Sequence, residues 1–169
     1  MVYRFSVGAA LAAVAVALVL AGCDPQRISE LEEGVSTETD VRARFGEPEK
    51  IWDGPGGARI LEYNRQPAGQ QNYMITIGGD GRMTALRQVL NPDNFAKIQP
   101  GMMMEDVRRM LGKPAKAVTY SLKNETAWDW RYLQPPSTDM VFTVWFNPDY
   151  RVLRTTMTPD PQAMENQGK

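Results

Sequence analysis

The feature that most limits how this chain can fold is an internal duplication. One stretch runs from Leu31 to Gly34 and then Asp40-Val41-Arg42, Phe45-Gly46 and Pro48. A second runs from Ile98 to Gly101 and then Asp106-Val107-Arg108, Leu111-Gly112 and Pro114. The two share Asp-Val-Arg, an apolar residue four after the Val, and Gly-x-Pro, at an offset of about 66 residues, which is the length of a repeated supersecondary unit. Both copies continue into aromatic strands, Leu61-Glu62-Tyr63 and Trp128-Asp129-Trp130, and end in a strand pair near Tyr73–Val89 and Met140–Met157.

Each copy has a physical reading. Val41 with Phe45, and Val107 with Leu111, stand four apart and so share a helix face. Ser36 or Thr37 is suited to cap the first helix, and Glu38 and Asp40 suit its first turn. Gly46 and Gly112 suit the residue that ends a helix, and Pro48 and Pro114 prevent its continuation. The short apolar stretch before Gly34 or Gly101 is expected to be a further helical turn. The predicted fold class is therefore α+β, a tandem repeat of helix-loop-helix units packed on antiparallel sheet. The boundaries are 31–92 for the first repeat and 93–157 for the second. Loops are expected at Gly54–Gly57 and Gln66–Gln71, hairpin turns at Gly79-Asp80-Gly81 and Asn147-Pro148-Asp149, and a disordered tail at 158–169.

Alternation along the strands sorts the side chains. Tyr63, Tyr73, Trp128, Trp130, Phe142, Val144 and Phe146 fall on the face that meets the helices. Glu62, Met74, Asp129, Arg131, Val141, Thr143 and Trp145 fall on the other. Trp145 beside Arg131 is the outlier on a solvent face, and Trp and Arg are the types most enriched at interface hot spots. The alternative is that the tail or a loop covers Trp145, or that the register is shifted by one. Met74, Val141 and Trp52, the last next to the loop Asp53–Arg59, complete the candidate partner-binding set. Trp128 and Trp130 suggest a carbohydrate platform, but their alignment with Leu61 and Tyr63 favours the core. Met102-Met103-Met104 suits an adaptable contact surface and helix-start packing equally.

The first 22 residues carry a different message. Arg4 precedes an apolar run from Val7 to Leu20, which closes on Leu20-Ala21-Gly22-Cys23. At roughly 14 residues, the run is short of the ~20 that a spanning helix needs and has the form of a secretory signal. Leu-Ala-Gly-Cys resembles a bacterial lipobox, which implies cleavage before Cys23 and acylation of that residue, with 23–30 as a linker. Cys23 is the chain's one cysteine and has no disulfide partner within it. Several acyl chains make a stable anchor where one is marginal. Asp24 is the residue that, in enteric bacteria, keeps lipoproteins in the inner membrane.

Composition removes much chemistry. With no histidine and its one cysteine assigned to lipid, the chain lacks Ser-His and Cys-His nucleophile pairs and the usual zinc sites. A net charge of -1 with no basic tract gives no footprint for nucleic acid. Gly54-Pro55-Gly56-Gly57 lacks the Lys-Ser/Thr of a phosphate loop. No catalytic residue, cofactor, metal or small-molecule substrate is expected, and a carboxylate-dependent envelope enzyme is the remaining catalytic alternative.

The run Ile98-Gln-Pro-Gly101-Met102, with Glu105-Asp106-Val107 and Leu111-Gly112-Lys113-Pro114, resembles the signature of the SmpA/OmlA (BamE-like) family of outer-membrane assembly lipoproteins. The tandem arrangement is similar to the β-lactamase-inhibitor-protein fold. The resemblance implies a periplasm-facing scaffold at the outer membrane, with the β-barrel assembly machinery among its envelope partners. Two departures stand out: the chain has two copies of the unit, and Met103 replaces the usual capping Ser or Thr. A proteinaceous inhibitor using its exposed sheet face is the alternative from another class.

Overall fold

A computed structural model describes residues 28–163. The signal segment and Cys23 lie outside the described residues. Helix α1 (Glu38–Phe45) precedes strands β1 (Lys50–Asp53), β2 (Arg59–Asn64), β3 (Asn72–Ile77) and β4 (Met83–Gln88). Helices α2 (Pro92–Phe95) and α3 (Met104–Leu111) then precede β5 (Lys116–Tyr120), β6 (Glu125–Gln134), β7 (Thr138–Phe146) and β8 (Val152–Pro159). The strands make two four-stranded antiparallel sheets, ordered β1-β2-β3-β4 and β5-β6-β7-β8. The class is α+β.

The two helices that start the units are built alike and capped differently. Thr37 caps α1 through a reciprocal capping box with Asp40, satisfying donors that a helix start leaves unpaired. Met103 occupies the cap position of α3 and supplies no side-chain bond. There the N–H of Met104 donates to the Tyr150 carbonyl at 2.8 Å, so a loop takes part in the cap's work. Gly46 and Gly112 end the helices at φ 81° and 77°.

The expected tandem helix-loop-helix pattern is not confirmed. Among the described residues, 29–37 form turns and a bridge rather than a helix before α1, and α2 is only four residues long. The apolar residues Leu31 and Ile98, expected in helical turns, lie outside any helix, Leu31 packed against the first core and Ile98 within the second. The expected tail boundary also moves. β8 continues to Pro159, Asp160 is 1 % exposed, and residues 161–163 add a helical turn.

Two cores result. Val41 and Phe45 of α1 pack on Leu61, Tyr63, Tyr73, Ile75 and Ile77, one face of the first sheet. Val107 and Leu111 of α3 pack with Phe95 on Trp130, Phe142, Val144 and Phe146, the inner face of the second sheet. The second core also contains Met74, from the opposite face of β3. Helix α3 therefore lies between the sheets, and the layers run α1, first sheet, α3, second sheet. Among the described residues, the outer face of the second sheet is the broad sheet face left without a helix across it.

Candidate protein-interaction surface

The stacking order decides which candidate residues are accessible. Trp52 and Met74, expected at the surface, are 4 % and 7 % exposed. The expectation fails because the second unit's helix covers the first sheet's outer face. Trp52 Nε1–H donates to Glu62 Oε2 at 2.9 Å, and Arg109 of α3 lies 4.6 Å from the Trp52 ring centroid. Glu62, also placed outside by alternation, is fully buried and accepts from Asn64 Nδ2 and the Lys113 N–H.

On the second sheet the expected register is the observed one. Trp145 pairs with Ala127 and Arg154, and Val141 pairs with Arg131 and Thr158, all on the outer face. Arg131 and Trp145 are not neighbours, however. They sit at opposite ends of the face, four residues apart along the strands, which is about 13 Å.

The Arg131 end is closed by the segment 160–162 and the loop at Gln66–Pro67. Arg131 Nε–H donates to the buried Asp160 Oδ2 at 2.6 Å, and Nη1–H to the Pro67 carbonyl at 3.0 Å. Gln66 Nε2–H donates to the Arg131 carbonyl at 2.6 Å. Val141 is half-buried in a cleft of about 330 Å³ beneath Pro67, Pro161 and Gln162. Arg131 thus fastens two loops to the sheet, and that use of its guanidinium removes it as a free hot spot.

At the other end Trp145 is half-buried, covered by neighbouring side chains rather than by a loop among the described residues. The small side chain of Ala127, cross-strand from Trp145, leaves room for the indole to reach Tyr120 at a ring-centroid distance of 5.4 Å. The Arg154 guanidinium lies 4.5 Å from the Trp145 centroid. Glu125 fixes it with two bonds, Nη1 to Oε1 at 3.0 Å and Nη2 to Oε2 at 2.8 Å. The Arg154 hydrogen bond is the main cause that holds the Glu125 carboxyl below its ordinary range. Beside this platform the β5–β6 turn carries Leu122 with its side chain wholly exposed, and Tyr120 is 43 % exposed.

Tyr120 and Leu122 were not singled out from sequence. Two signals point to them: the alternation Lys116, Val118, Tyr120 on one face, and a leucine inside the polar turn Ser121–Asn124, where turn chemistry favours Gly, Asn, Asp or Ser. The other aromatic pair divides. Trp130 is fully buried and donates from Nε1 to the Gly112 carbonyl at 3.1 Å. Trp128 is half-buried in a cleft of about 340 Å³ with Trp52, Arg108 and Tyr150. Met103 is 38 % exposed, while Met102 and Met104 pack against the core.

No family model matches the chain, and no curated protein matches it. Three solved structures are similar in shape. One is a DUF4309 family protein (YjgB) from Bacillus subtilis, 22 % identical over 80 % of this chain and 86 % of that one, with TM-score 0.33. A second is described as a putative beta-lactamase inhibitor protein from Streptococcus mutans, 10 % identical over 82 % and 97 %, with TM-score 0.33. The third is an extracellular protein containing a SCP domain from Bacillus anthracis, 13 % identical over 83 % of this chain and 48 % of that one, with TM-score 0.31. None of the three belongs to the SmpA/OmlA family, and with no family model matching, that resemblance does not stand. The residues that carried it explain why: Gly101, Val107, Leu111, Gly112 and Pro114 are what any helix of this shape needs at its ends and buried face.

Proposed function

We propose that this protein acts by binding another protein through the Trp145 end of its second sheet, and that it does so without catalysing a reaction. One observation carries the reading. Trp145 lies under the Glu125-fixed Arg154 guanidinium and beside the tilted ring of Tyr120, with the wholly exposed Leu122 in the adjoining turn. Trp, Tyr and Arg clustered in a fixed arrangement are the composition of a binding hot spot, and a solvated leucine at a turn gains by burial in a partner's pocket.

The projecting hairpin favours occlusion of a partner's cleft, as in a proteinaceous inhibitor, over a flat scaffold role. Cys23 serves as the acylation site and holds the domain at the envelope. The test uses a photo-crosslinking residue at position 122, with one at exposed position 51 as a control, in cells that display the protein at its native envelope. A defined partner captured from position 122, lost on Trp145→Ala, supports the reading. Equal capture from both positions overturns it. If the partner is a hydrolase, titration of its activity to zero at one equivalent supports the inhibitor form, and unaltered activity in the complex rejects it.

A further inference from the structure

The two units dock their preceding segments onto the last strand of each sheet through the same pair of bonds, with one residue fewer between the glycine and the accepting carbonyl in the second. In the first, the Gly34 N–H donates to the Met83 carbonyl at 2.7 Å and the Met83 N–H to the Ser36 carbonyl at 2.7 Å. In the second, the Gly101 N–H donates to the Val152 carbonyl at 2.8 Å and the Val152 N–H to the Met102 carbonyl at 2.9 Å. Bridges Thr37–Arg82 and Met103–Arg151 extend the match. Met83 therefore corresponds to Val152, Leu86 to Thr155 and Arg87 to Thr156, and Glu33, the residue before the docking Gly34, corresponds to Pro100, the residue before Gly101.

That correspondence exposes a difference. On the β4 edge the Leu86 N–H donates to Glu33 Oε1 at 2.9 Å, and Arg87 pairs with the same carboxylate. The first unit thus closes its own edge with an acidic side chain. In the second unit Pro100 has no side-chain acceptor to offer and Thr156 no charge. The direction of the Thr155 N–H follows from the ladder. Asp160 N–H donates to the Asp139 carbonyl in the register of β7 and β8, so hydrogen-bonded pairs alternate through Thr158, Thr156 and Arg154. The N–H groups of Thr155 and Met157 point away from β7, and nothing among the described residues pairs with them. β8 from Leu153 to Pro159 is exposed and contains no lysine, the usual guard of such an edge.

A groove of about 350 Å³ runs beside this edge. Phe95, Ile98 and Val152, each under 5 % exposed, form its floor, and Pro92, Pro100 and the 47 % exposed Met157 form its walls. Thr155 and Met157 are cross-strand from Val144 and Phe142, so their side chains share the inner face. A strand laid along β8 would send its alternate side chains into the groove.

We propose that the β8 edge accepts an extended segment of a partner polypeptide, paired backbone to backbone at Thr155 and Met157, with an apolar side chain in the Phe95–Ile98 groove. A neutral carbonyl suits the Thr155 N–H better than a carboxylate because Thr156 stands where the first unit has Arg87. Arg154 is engaged elsewhere, by Glu125 on the outer face. This surface is separate from the Trp145 platform, and the proposal does not depend on it.

The test is titration of the 15N-labelled full chain with a capped heptapeptide of alternating threonine and valine, flanked by lysines. Expected are amide shifts centred on Thr155–Met157 and Ile98, with binding weakened about tenfold by Thr155→Pro, which removes the donor without touching the β7 ladder. Pro100→Glu, which restores the first unit's closing carboxylate, weakens it too, while Trp145→Ala leaves it unchanged. No shifts at about 2 mM peptide, the weak limit for such pairing, overturn the proposal. Shifts confined to the Trp145 face overturn it as well, as does concentration-dependent self-pairing of β8 without peptide, which would make a second copy the occupant.

Discussion

The Arg108 guanidinium of helix α3 reaches the Glu62 carboxylate of β2 at 3.2 Å, joining the second unit's helix to the first unit's sheet at a fully buried acid. The same carboxylate accepts from Trp52 Nε1, Asn64 Nδ2 and the Lys113 N–H, so one side chain gathers donors from both units. Removing it leaves the partly buried Arg108 guanidinium and the buried Trp52 Nε1–H without that acceptor, while the Lys113 N–H keeps Asn64 Oδ1 and Asn64 Nδ2 keeps Glu49, a loss of about 3–5 kcal/mol. Glu62→Ala is expected to lower the urea midpoint sharply. Glu62→Gln, which keeps one acceptor oxygen, is expected to lose less. Equal midpoints for Glu62→Ala and the parent protein would show that the units are not coupled through this site.

Gly112 is expected to be the less replaceable of two equivalent glycines. Both Gly46 and Gly112 hold positive φ with extended ψ, a region that costs other residues about 1–3 kcal/mol. A Cβ at Gly46 meets nothing, whereas one at Gly112 would lie 2.5 Å from Asn64 Oδ1 and 2.9 Å from Asn72 Nδ2. Those amides hold the inter-unit junction, since Asn72 Nδ2 donates to the Leu111 carbonyl at 2.8 Å. Thermal denaturation should therefore rank Gly112→Ala well below Gly46→Ala, and the reverse order would contradict the packing described.

What was legible in the sequence is what local chemistry decides. Thr37 with Asp40, the Val41/Phe45 and Val107/Leu111 pairs, and the alternation through Phe142–Phe146 placed the helices and the second sheet's faces correctly. The outer face of the first sheet differs from expectation for a physical reason: Glu62, Met74 and Trp52 alternate as solvent-facing residues do, and their cover comes from a helix at least 30 residues later. Arg131 was placed on the right face, but its bond to Asp160 depends on the chain returning over the sheet, which no periodicity reports. Leu122 was overlooked because turns are scanned for turn formers, not for exposed apolar groups.

Cys23 is expected to carry the anchor. Labelled palmitate should be incorporated by the parent chain and not by Cys23→Ser, and the substituted chain should leave the membrane fraction. Retention of label after the substitution would refute the lipobox. Membrane association without label would point instead to the uncleaved apolar run, since no described helix is long and apolar enough to span.

The platform at Trp145 should be sensitive to acid. The hydrogen bonds that Glu125 accepts from Arg154 hold its carboxyl below the ordinary glutamate range, so its folded pKa is depressed. A depressed acid contributes its stabilisation in full above the unfolded value, and that contribution is lost as pH falls through the folded one. Near neutrality the Arg154 guanidinium stays fixed over the indole. Acidification to below the ordinary carboxylate range protonates Glu125 and releases it. The difference in tryptophan emission between the parent protein and Trp145→Phe isolates this indole from the other three tryptophans. That difference spectrum should shift only in the acid limb. In Glu125→Gln it should show the released form already at pH 7, with no acid transition. A transition at the same pH in both proteins would mean that a carboxylate other than Glu125 governs the platform.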